Sequence, residues 1–242
     1  MAERILPLID LTNLDDNCSV HDVAILCSRA DGEFGRTAAV CVWPRFVDAC
    51  ASTLRGTGIK VATVVNFPSG DDAIEVVFSE TRGALESGAD EIDLVLPYRA
   101  FKAGEKLAAT SMLQRVREAV RPPAQLKVIL ETGELLDEEL IRQAAQLAVT
   151  SGADFIKTST GKTKVSATIE AASIMLNVIR EHRNQSGRMI GFKPSGGIRS
   201  VDDARSYLEL ADSILGPDWA RPSTFRFGAS ALLDAVEAEL RQ

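Results

Sequence analysis

The sequence predicts an α/β protein of the (β/α)8 TIM-barrel class, with residues 1–242 forming a single domain. Eight times along the chain, a short β-rich run is followed by a stretch with apolar residues at helical spacing. Strands that alternate with helices form parallel βαβ units, and eight units in about 240 residues fit a closed barrel better than an open sheet. The absence of Gly-x-Gly-x-x-Gly after any strand weakens the dinucleotide-binding alternative.

The eight predicted strands are short apolar runs, in order Ile5–Asp10, Ala38–Trp43, Lys60–Phe67, Glu91–Leu96, Leu126–Glu131, Phe155–Ser159, Met189–Pro194 and Thr224–Gly228. Each is followed by a predicted helix, in order Val20–Arg29, Arg45–Leu54, Ala73–Leu85, Glu105–Val120, Asp137–Val149, Val165–His182, Val201–Leu215 and Ala229–Leu240. In such barrels the chemistry lies at the C-terminal ends of the strands, so the residues there are the first candidates for a site.

Composition limits the functional classes. The chain is 45% hydrophobic and 25% charged, as is ordinary for a soluble globular protein. Its net charge of −7 argues against broad nucleic-acid binding but leaves room for a small anionic ligand at a local positive site. Four cysteines without a C-x-x-C pair, no signal-peptide pattern and no membrane-length apolar run predict a reduced, cytoplasmic protein without membrane partners.

The chain has two histidines, His21 and His182, and neither lies near a predicted strand end. This excludes a multi-histidine zinc site and argues against a Ser-His-Asp triad.

Lys157 lies inside the sixth predicted strand. Burying an ammonium is costly, and a lysine can escape the cost by becoming a neutral amine, which is a nucleophile. An ordinary lysine with a pKa near 10.4 is neutral in only about one molecule in 2,500 at pH 7. The alternative is an edge-strand lysine whose ammonium extends to water.

Asp93 is the predicted partner of Lys157. The sequence Ser87-Gly-Ala-Asp90 recurs as Ser151-Gly-Ala-Asp154, and aligning the two repeats places Asp93 on Lys157. The two strands are two repeat units apart, and alternate strands of a barrel fill the same interior layer. We therefore expect a carboxylate and an amine to meet in one water-poor space.

Other strand ends carry weaker signals. Asp10 ends the first predicted strand and Thr12 lies just beyond it, and both are equally explained as capping or turn residues. Cys41 alternates with its neighbours on the second strand, where a lone cysteine is usually a small core residue. Glu131 ends the fifth strand, either as a second carboxylate or as a partner for a buried lysine.

The last three strand ends predict a phosphate site. Thr160-Gly-Lys162 supplies small donors, a glycine and a cation, although Lys162 and Lys164 are also compatible with solvated surface charges. Lys193 is a second lysine in a strand interior, and Gly196-Gly197 follows it. Gly228 and Ser230 precede the last helix. Glycine-rich turns after strands seven and eight form the common phosphate site of this architecture.

Six motifs in matching order resemble the 2-deoxyribose-5-phosphate aldolase family over nearly the whole chain. They are Asp10-Leu-Thr12, Val40-Cys-Val-Trp-Pro-Arg-Phe46, Glu91-Ile-Asp-Leu-Val-Leu-Pro-Tyr-Arg99, Phe155-Ile-Lys-Thr-Ser-Thr-Gly-Lys162, Gly191-Phe-Lys-Pro-Ser-Gly-Gly197 and Phe225-Arg-Phe-Gly-Ala-Ser230. The resemblance implies a metal-independent, Schiff-base lyase without a cofactor that reversibly cleaves 2-deoxy-D-ribose 5-phosphate into D-glyceraldehyde 3-phosphate and acetaldehyde.

The resemblance also assigns roles. Lys157 would form the Schiff base, and Asp93 and Lys193 would handle protons. The remaining matched positions would contact the sugar or its phosphate: Asp10, Thr12, Cys41, Thr160, Gly161, Lys162, Gly196, Gly197, Gly228 and Ser230. We expect a homo-oligomer, in the first instance a dimer.

Two departures from the family pattern stand out. Gly228-Ala-Ser-Ala231 replaces a frequent Gly-Ala-Ser-Ser, so one phosphate hydroxyl is missing. The chain ends Glu239-Leu-Arg-Gln242, where some members carry a tyrosine tail.

The alternatives to this aldolase function are a non-catalytic barrel that binds a phosphorylated sugar and a Schiff-base transferase of the transaldolase type. The combination of Asp93, Lys157 and Lys193 favours catalysis, since simple binding does not need buried amines.

Overall fold

Eight parallel strands form the centre of the computed structural model, which describes residues 1–242. Numbered in chain order, they are β1 Ile9–Asn13, β2 Ala39–Val42, β3 Lys60–Val65, β4 Glu91–Val95, β5 Gln125–Ile129, β6 Phe155–Lys157, β7 Gly191–Lys193 and β8 Phe227–Ala229. The sheet order runs β8-β1-β2-β3-β4-β5-β6-β7. Two isolated parallel bridges, Phe192 with Phe225 and Ser195 with Gly228, join β7 to β8. The predicted (β/α)8 barrel is confirmed.

Helices surround the barrel. They are α1 Ala2–Ile5, α2 Val20–Ala30, α3 Val47–Thr53, α4 Ile74–Glu86, α5 Tyr98–Lys102, α6 Lys106–Ala119, α7 Thr132–Leu135, α8 Glu138–Thr150, α9 Ile169–Ser186, α10 Val201–Leu215 and α11 Leu232–Leu240. None is long and apolar enough to cross a membrane. Ser19 and Ser200 cap α2 and α10 with their hydroxyls, as the sequence pattern of a capping box requires.

The alternation of side chains along each strand separates two environments. Ile92, Leu94, Val128 and Ile156 belong to a 68-residue apolar core that also contains the buried faces of the helices. The residues between them face the barrel interior, because successive side chains of a strand point to opposite sides. Charged residues at these inward positions therefore meet at the centre of the molecule.

The first predicted strand, Ile5–Asp10, is shifted. Ile5 ends α1, and Leu6–Leu8 forms a 3-10 turn with Pro7 in its first positions, so the strand begins only at Ile9. Proline favours a helical start, since its fixed φ suits the first turn and its missing N–H is not needed there.

Other predicted boundaries were too wide or displaced. The sixth helix was predicted from Val165, but it begins at Ile169, because Thr168 accepts a hydrogen bond from the N–H of Ala171 and caps it. The predicted strands Met189–Pro194 and Thr224–Gly228 are Gly191–Lys193 and Phe227–Ala229. The short α1, α5 and α7 and the hairpin of Asp31–Gly32 with Gly35–Arg36 were not predicted.

We predict that Gly191→Ala destabilises the protein by about 1–3 kcal/mol, the usual cost of overpacking a core. A Cβ at position 191 would lie 2.2–2.5 Å from the ring carbons of Phe155, which is fully buried on the neighbouring strand. The measurement is the free energy of unfolding in urea. Gly83→Ala is the matched control. Position 83 is in α4, and a Cβ there meets nothing within 4 Å. This variant should gain about 0.5–1 kcal/mol. Equal effects of the two variants would contradict the packing argument.

Candidate active site

Three inward-facing residues meet inside the barrel near its C-terminal end. Lys157 and Lys193 are the last residues of β6 and β7, and Asp93 is at the centre of β4. The Nζ of Lys157 lies 3.0 Å from Oδ2 of Asp93, and the Nζ of Lys193 lies 2.8 Å from the same oxygen. Lys157 is 2% exposed, and the other two are fully buried. The predicted meeting of Asp93 and Lys157 is confirmed, and an edge-strand lysine reaching water is not what the structure shows.

More charged groups extend this cluster, and the sequence analysis missed three of them. The Nζ of Lys127 lies 2.8 Å from Oδ1 of Asp93 and 2.6 Å from Glu91. Arg226 donates hydrogen bonds to Asp10 at 2.6 Å and to Glu91 at 2.8 Å. The alternation of inward and outward side chains along the strand could have identified Lys127 from the sequence. Lys127 lies between Leu126 and Val128 in an apolar run, as Lys157 does in its own strand.

The electrostatic surroundings distinguish the two predicted catalytic lysines. Burial lowers the pKa of Lys157, Asp93 opposes this, and the Lys193 cation adds to the lowering. Burial also disfavours the Lys193 ammonium, but Asp10 and Asp93 hold the pKa of Lys193 above its usual value. The Oδ2 of Asp10 is only 2.5 Å from Lys193. Lys157 is therefore the candidate free amine, and Lys193 a retained cation.

Asp93 is held as a carboxylate. Burial alone would raise its pKa, but Lys127, Lys193 and Lys157 hold the pKa of Asp93 well below its usual value. A buried carboxylate with cations on both oxygens can accept and return a proton only in exchange with the groups it touches.

A cavity of about 250 Å³ opens at the C-terminal ends of the strands. It is lined by eight of the residues that the sequence predicted as ligand contacts: Thr12, Thr160, Gly161, Lys162, Gly196, Gly197, Gly228 and Ser230. Arg199, which was not predicted, also lines it. The lining suits an anion, because it combines cations with the glycine-rich backbone that precedes α11.

Glycine is required at this cavity for two separate reasons. Gly196 and Gly197 have φ angles of +83° and +84°, which side chains with a Cβ rarely adopt. At Gly228, a Cβ would lie 2.5 Å from Oγ of Ser195 and 3.1 Å from Cε of Lys193. The missing side chain at position 228 therefore leaves room for the lysine and the loop after β7.

Two predicted contacts lie elsewhere. Asp10 is fully buried, and its oxygens pair with Lys193 and Arg226. It therefore belongs to the charged cluster and does not line the cavity. Cys41 is fully buried in a small apolar group with Leu14, and burial raises the pKa of its thiol. Cys41 faces the same interior as Lys157 but does not line the 250 Å³ cavity.

The site combines a buried amine whose pKa is lowered by burial, a carboxylate 3.0 Å from it, and a nearby cavity lined by cations and glycines. Imine chemistry on an anionic carbonyl compound needs groups of these kinds. Comparison with known proteins agrees. The family model described as DeoC/LacD family aldolase matches residues 5–238. The chain belongs to this aldolase family.

Individual members of the family resemble the chain over most of its length. It is 56% identical over 236 residues to the deoxyribose-phosphate aldolase of Agrobacterium fabrum, covering 97% of this chain and 90% of that protein. A crystal structure of a putative deoxyribose-phosphate aldolase from Coccidioides immitis superposes with a TM-score of 0.86 at 31% identity, covering 100% of this chain and 87% of that one. A tetrameric deoxyribose phosphate aldolase from Aeropyrum pernix gives 0.74 at 25% identity, covering 99% and 92%.

Glu131 fixes the loop that carries part of this aldolase's cavity. It is fully buried with a left-handed backbone, φ 55° and ψ 59°. Its carboxylate accepts hydrogen bonds from the Thr160 hydroxyl at 2.5 Å, the Thr160 N–H at 3.3 Å and the Thr163 hydroxyl at 3.2 Å. Glu131 is a second buried carboxylate facing Lys157, as one of its two predicted roles had it, but it makes no ion pair with a lysine. Glu131 instead binds the loop after β6.

We predict that Glu131→Gln increases amide hydrogen exchange in residues 158–163. Glutamine has the size of glutamate but one acceptor oxygen fewer, so one of the three donors loses its partner at a cost of about 1–3 kcal/mol. Mass-spectrometric hydrogen exchange measures the change. Thr163→Val leaves both Thr160 contacts of Glu131 in place and removes only the hydrogen bonds of the Thr163 hydroxyl, to Glu131 and to the Val165 carbonyl, so it should have a smaller effect. Unchanged exchange in Glu131→Gln would show that the loop is held by other contacts.

We predict that Lys193→Leu moves the acidic limb of Lys157 imine formation to higher pH. Removing Lys193 deletes a neighbouring cation and frees Oδ2 of Asp93 to pair with Lys157, and both changes favour the Lys157 ammonium. The pKa of Lys157 should therefore rise, and each tenfold loss of free amine at a given pH corresponds to about 1.4 kcal/mol. The measurement is the rate of borohydride trapping with a small aldehyde against pH. Lys164→Leu, on the exposed surface, should leave the limb unchanged. An unmoved limb in Lys193→Leu would show that Lys193 does not affect Lys157.

Proposed function

We propose that this aldolase reversibly cleaves 2-deoxy-D-ribose 5-phosphate into D-glyceraldehyde 3-phosphate and acetaldehyde, with Lys157 forming the imine. The observation that supports this most strongly is the environment of Lys157. Its amine is buried, its pKa is lowered by burial, and it lies 3.0 Å from a carboxylate at the end of the barrel where the anion-binding cavity opens. The 56% identity to the Agrobacterium fabrum enzyme supports the choice of substrate.

The Lys157 amine attacks the C1 aldehyde of the open-chain sugar, and loss of water from the carbinolamine gives an iminium. The C3 hydroxyl then loses its proton and the C2–C3 bond breaks. Its electron pair moves into the iminium and leaves an enamine on Lys157, with glyceraldehyde 3-phosphate as the first product. Protonation of the enamine at C2 and hydrolysis of the resulting iminium release acetaldehyde and restore the amine.

Asp93 and Lys193 are the proposed proton-handling pair. Asp93 touches the Nζ of Lys157 directly, so it can take the proton that the nitrogen loses as the carbinolamine forms and pass it to the carbinolamine oxygen. Lys193 donates to the same oxygen of Asp93 at 2.8 Å and can supply the proton with which the hydroxyl leaves as water. Both lie in the barrel interior, where charge interactions are stronger than in water.

The phosphate of the substrate is proposed to bind in the 250 Å³ cavity, between Lys162 on one side and the Gly196-Gly197 and Gly228–Ser230 turns on the other. Binding energy from this remote group positions the reacting bond over Lys157. Asp10 is proposed to act indirectly on the substrate, because it holds Lys193 in place through a 2.5 Å ion pair. Cys41 borders the barrel interior and is not assigned a contact with the phosphate.

Residues 1–242 are proposed to fold as one unit, since β1 pairs with β8 and a family model spans residues 5–238. A homo-oligomer is also proposed, with a dimer as the first candidate. The tetrameric Aeropyrum pernix relative supports self-association in the family. Four unbridged cysteines suit the proposed reducing, cytoplasmic location. Size-exclusion chromatography with light scattering tests the oligomer.

We predict that treatment with acetaldehyde and borohydride adds one ethyl group to Lys157. Peptide mass spectrometry locates the adduct, and a coupled assay measures glyceraldehyde 3-phosphate release from the sugar phosphate. Lys157→Met should abolish both signals. Lys164→Met, an exposed lysine in the same segment, should keep both. Reduction of a different lysine, or turnover by Lys157→Met, would overturn the proposed mechanism.

We predict that Ser230→Asp lowers kcat/KM for the phosphorylated sugar far more than for unphosphorylated 2-deoxyribose. Ser230 lines the cavity just before α11, and a carboxylate there would repel the phosphate. Ser230→Asn, which is similar in size but uncharged, separates the charge effect from the steric one. Equal losses for both sugars in Ser230→Asp would place the phosphate elsewhere.

A further inference from the structure

A second cavity lies at the opposite end of the barrel from the proposed imine site. Its volume is about 480 Å³, and Lys60, Glu91 and Gln125, the first residues of β3, β4 and β5, line it. Arg226 lines it as well. Glu91 and Arg226 are only 1% and 4% exposed, so the cavity reaches the lower edge of the buried charge cluster without opening it to bulk solvent.

An unbroken series of ion pairs joins this cavity to Lys157. Glu91 lies 2.6 Å from the Nζ of Lys127, and the same Nζ lies 2.8 Å from Oδ1 of Asp93. The other oxygen of Asp93 lies 3.0 Å from the Nζ of Lys157. Lys127 therefore occupies one of the two Asp93 oxygens, and its own position is held by Glu91 on the cavity side.

The charges of the directly ion-paired groups in the cluster balance without Lys157. Three carboxylates, those of Asp10, Glu91 and Asp93, face three groups whose pKa values are held above their usual values, which favours the cations. These cations are Lys127, Lys193 and Arg226. Lys157 is the seventh group and has no carboxylate of its own, since its only partner, Asp93, already pairs with Lys127 and Lys193. An ammonium at position 157 would add a buried positive charge without a carboxylate of its own, which is costly. The other carboxylate that faces it, Glu131, is hydrogen-bonded to Thr160 and Thr163 and makes no ion pair with Lys157.

We propose that Glu91 and Lys127 are positioning residues that set the protonation state of Lys157 from the N-terminal side of the barrel. Lys127 neutralises Asp93 and so keeps Asp93 from stabilising the Lys157 ammonium. The negative charge of Glu91 partly offsets the positive charge of Lys127. The cluster therefore does not destabilise the cationic iminium on Lys157 too strongly. This inference rests on the proposed function of Lys157 as the imine-forming residue.

Other groups also face Lys157 and stay the same in the experiment below. They are Asp93 on β4, Lys193 on β7, Cys41 on β2 and Glu131 after β5. The variants change only the charges behind Asp93, so a change in the behaviour of Lys157 has to be transmitted through that carboxylate or through the field of the cluster.

The test is the pH dependence of Lys157 imine trapping and of kcat/KM in Lys127→Met, Glu91→Gln and the double variant. Lys127→Met removes a cation, so the acidic limb should move to higher pH by about one pH unit or more. Glu91→Gln removes an anion, so the limb should move to lower pH. The double variant removes one charge of each sign and should return close to wild type. Opposite signs with cancellation cannot arise from a general loss of structure.

A second pair of variants covers the case in which a single charge deletion prevents folding. Gln125 precedes Lys127 by two residues, so it faces the same side of β5, and it lines the 480 Å³ cavity. Gln125→Lys should move the acidic limb to lower pH and Gln125→Glu to higher pH, both by less than the deletions. Lys60→Met, on the exposed rim of the cavity, is the control and should leave the limb in place.

The outcomes separate the two proposals. If wild type is labelled at Lys157 and the limbs move with opposite signs, the inference holds. If wild type is labelled at Lys157 but none of the folded Glu91, Lys127 and Gln125 variants moves the limb, or all move it in one direction, this inference is overturned and the proposed function stands. If wild type is labelled on another lysine, the proposed function fails first.

Discussion

The structure of the site depends on one carboxylate. Asp93 lies at the centre of β4 and accepts contacts from Lys127, Lys157 and Lys193, all within 3.0 Å. Without Asp93, the three buried amines would face one another with no shared carboxylate to offset their repulsion. With it, the two lysines that have further carboxylate partners stay protonated, and Lys157 is left as the one whose ammonium is least supported. Lys157 differs from the other two lysines because a limited amount of negative charge is shared among the three.

The barrel makes this sharing possible, because it provides two separate interiors. Apolar side chains on the outer side of the strands pack with the helices in a 68-residue core. The inner side of the strands can then carry charged residues without weakening that core. Parallel strands also place their ends at the same height, so that Lys157 and Lys193 meet at the open end while Glu91 and Arg226 lie toward the other.

Two residues outside this cluster, Gly228 and Glu131, also shape the site. Gly228 leaves space beside the Lys193 side chain, and Glu131 binds the loop that carries Thr160. Each of the two residues acts through the position of another side chain, Lys193 or Thr160.

The sequence by itself determined the barrel class, the eight strand–helix units and the pairing of Asp93 with Lys157, because hydrophobic periodicity and a repeated tetrapeptide are local patterns. It also placed eight of the cavity residues, through motifs that lie at strand ends. It did not determine where β1 and α9 begin, since Pro7 and Thr168 act through backbone geometry and capping. Nor did it identify Lys127, Glu91 and Arg226 as members of the cluster, or show that Asp10 pairs with Lys193. Those contacts join residues up to 216 positions apart, and only closure of the barrel brings them within hydrogen-bonding distance.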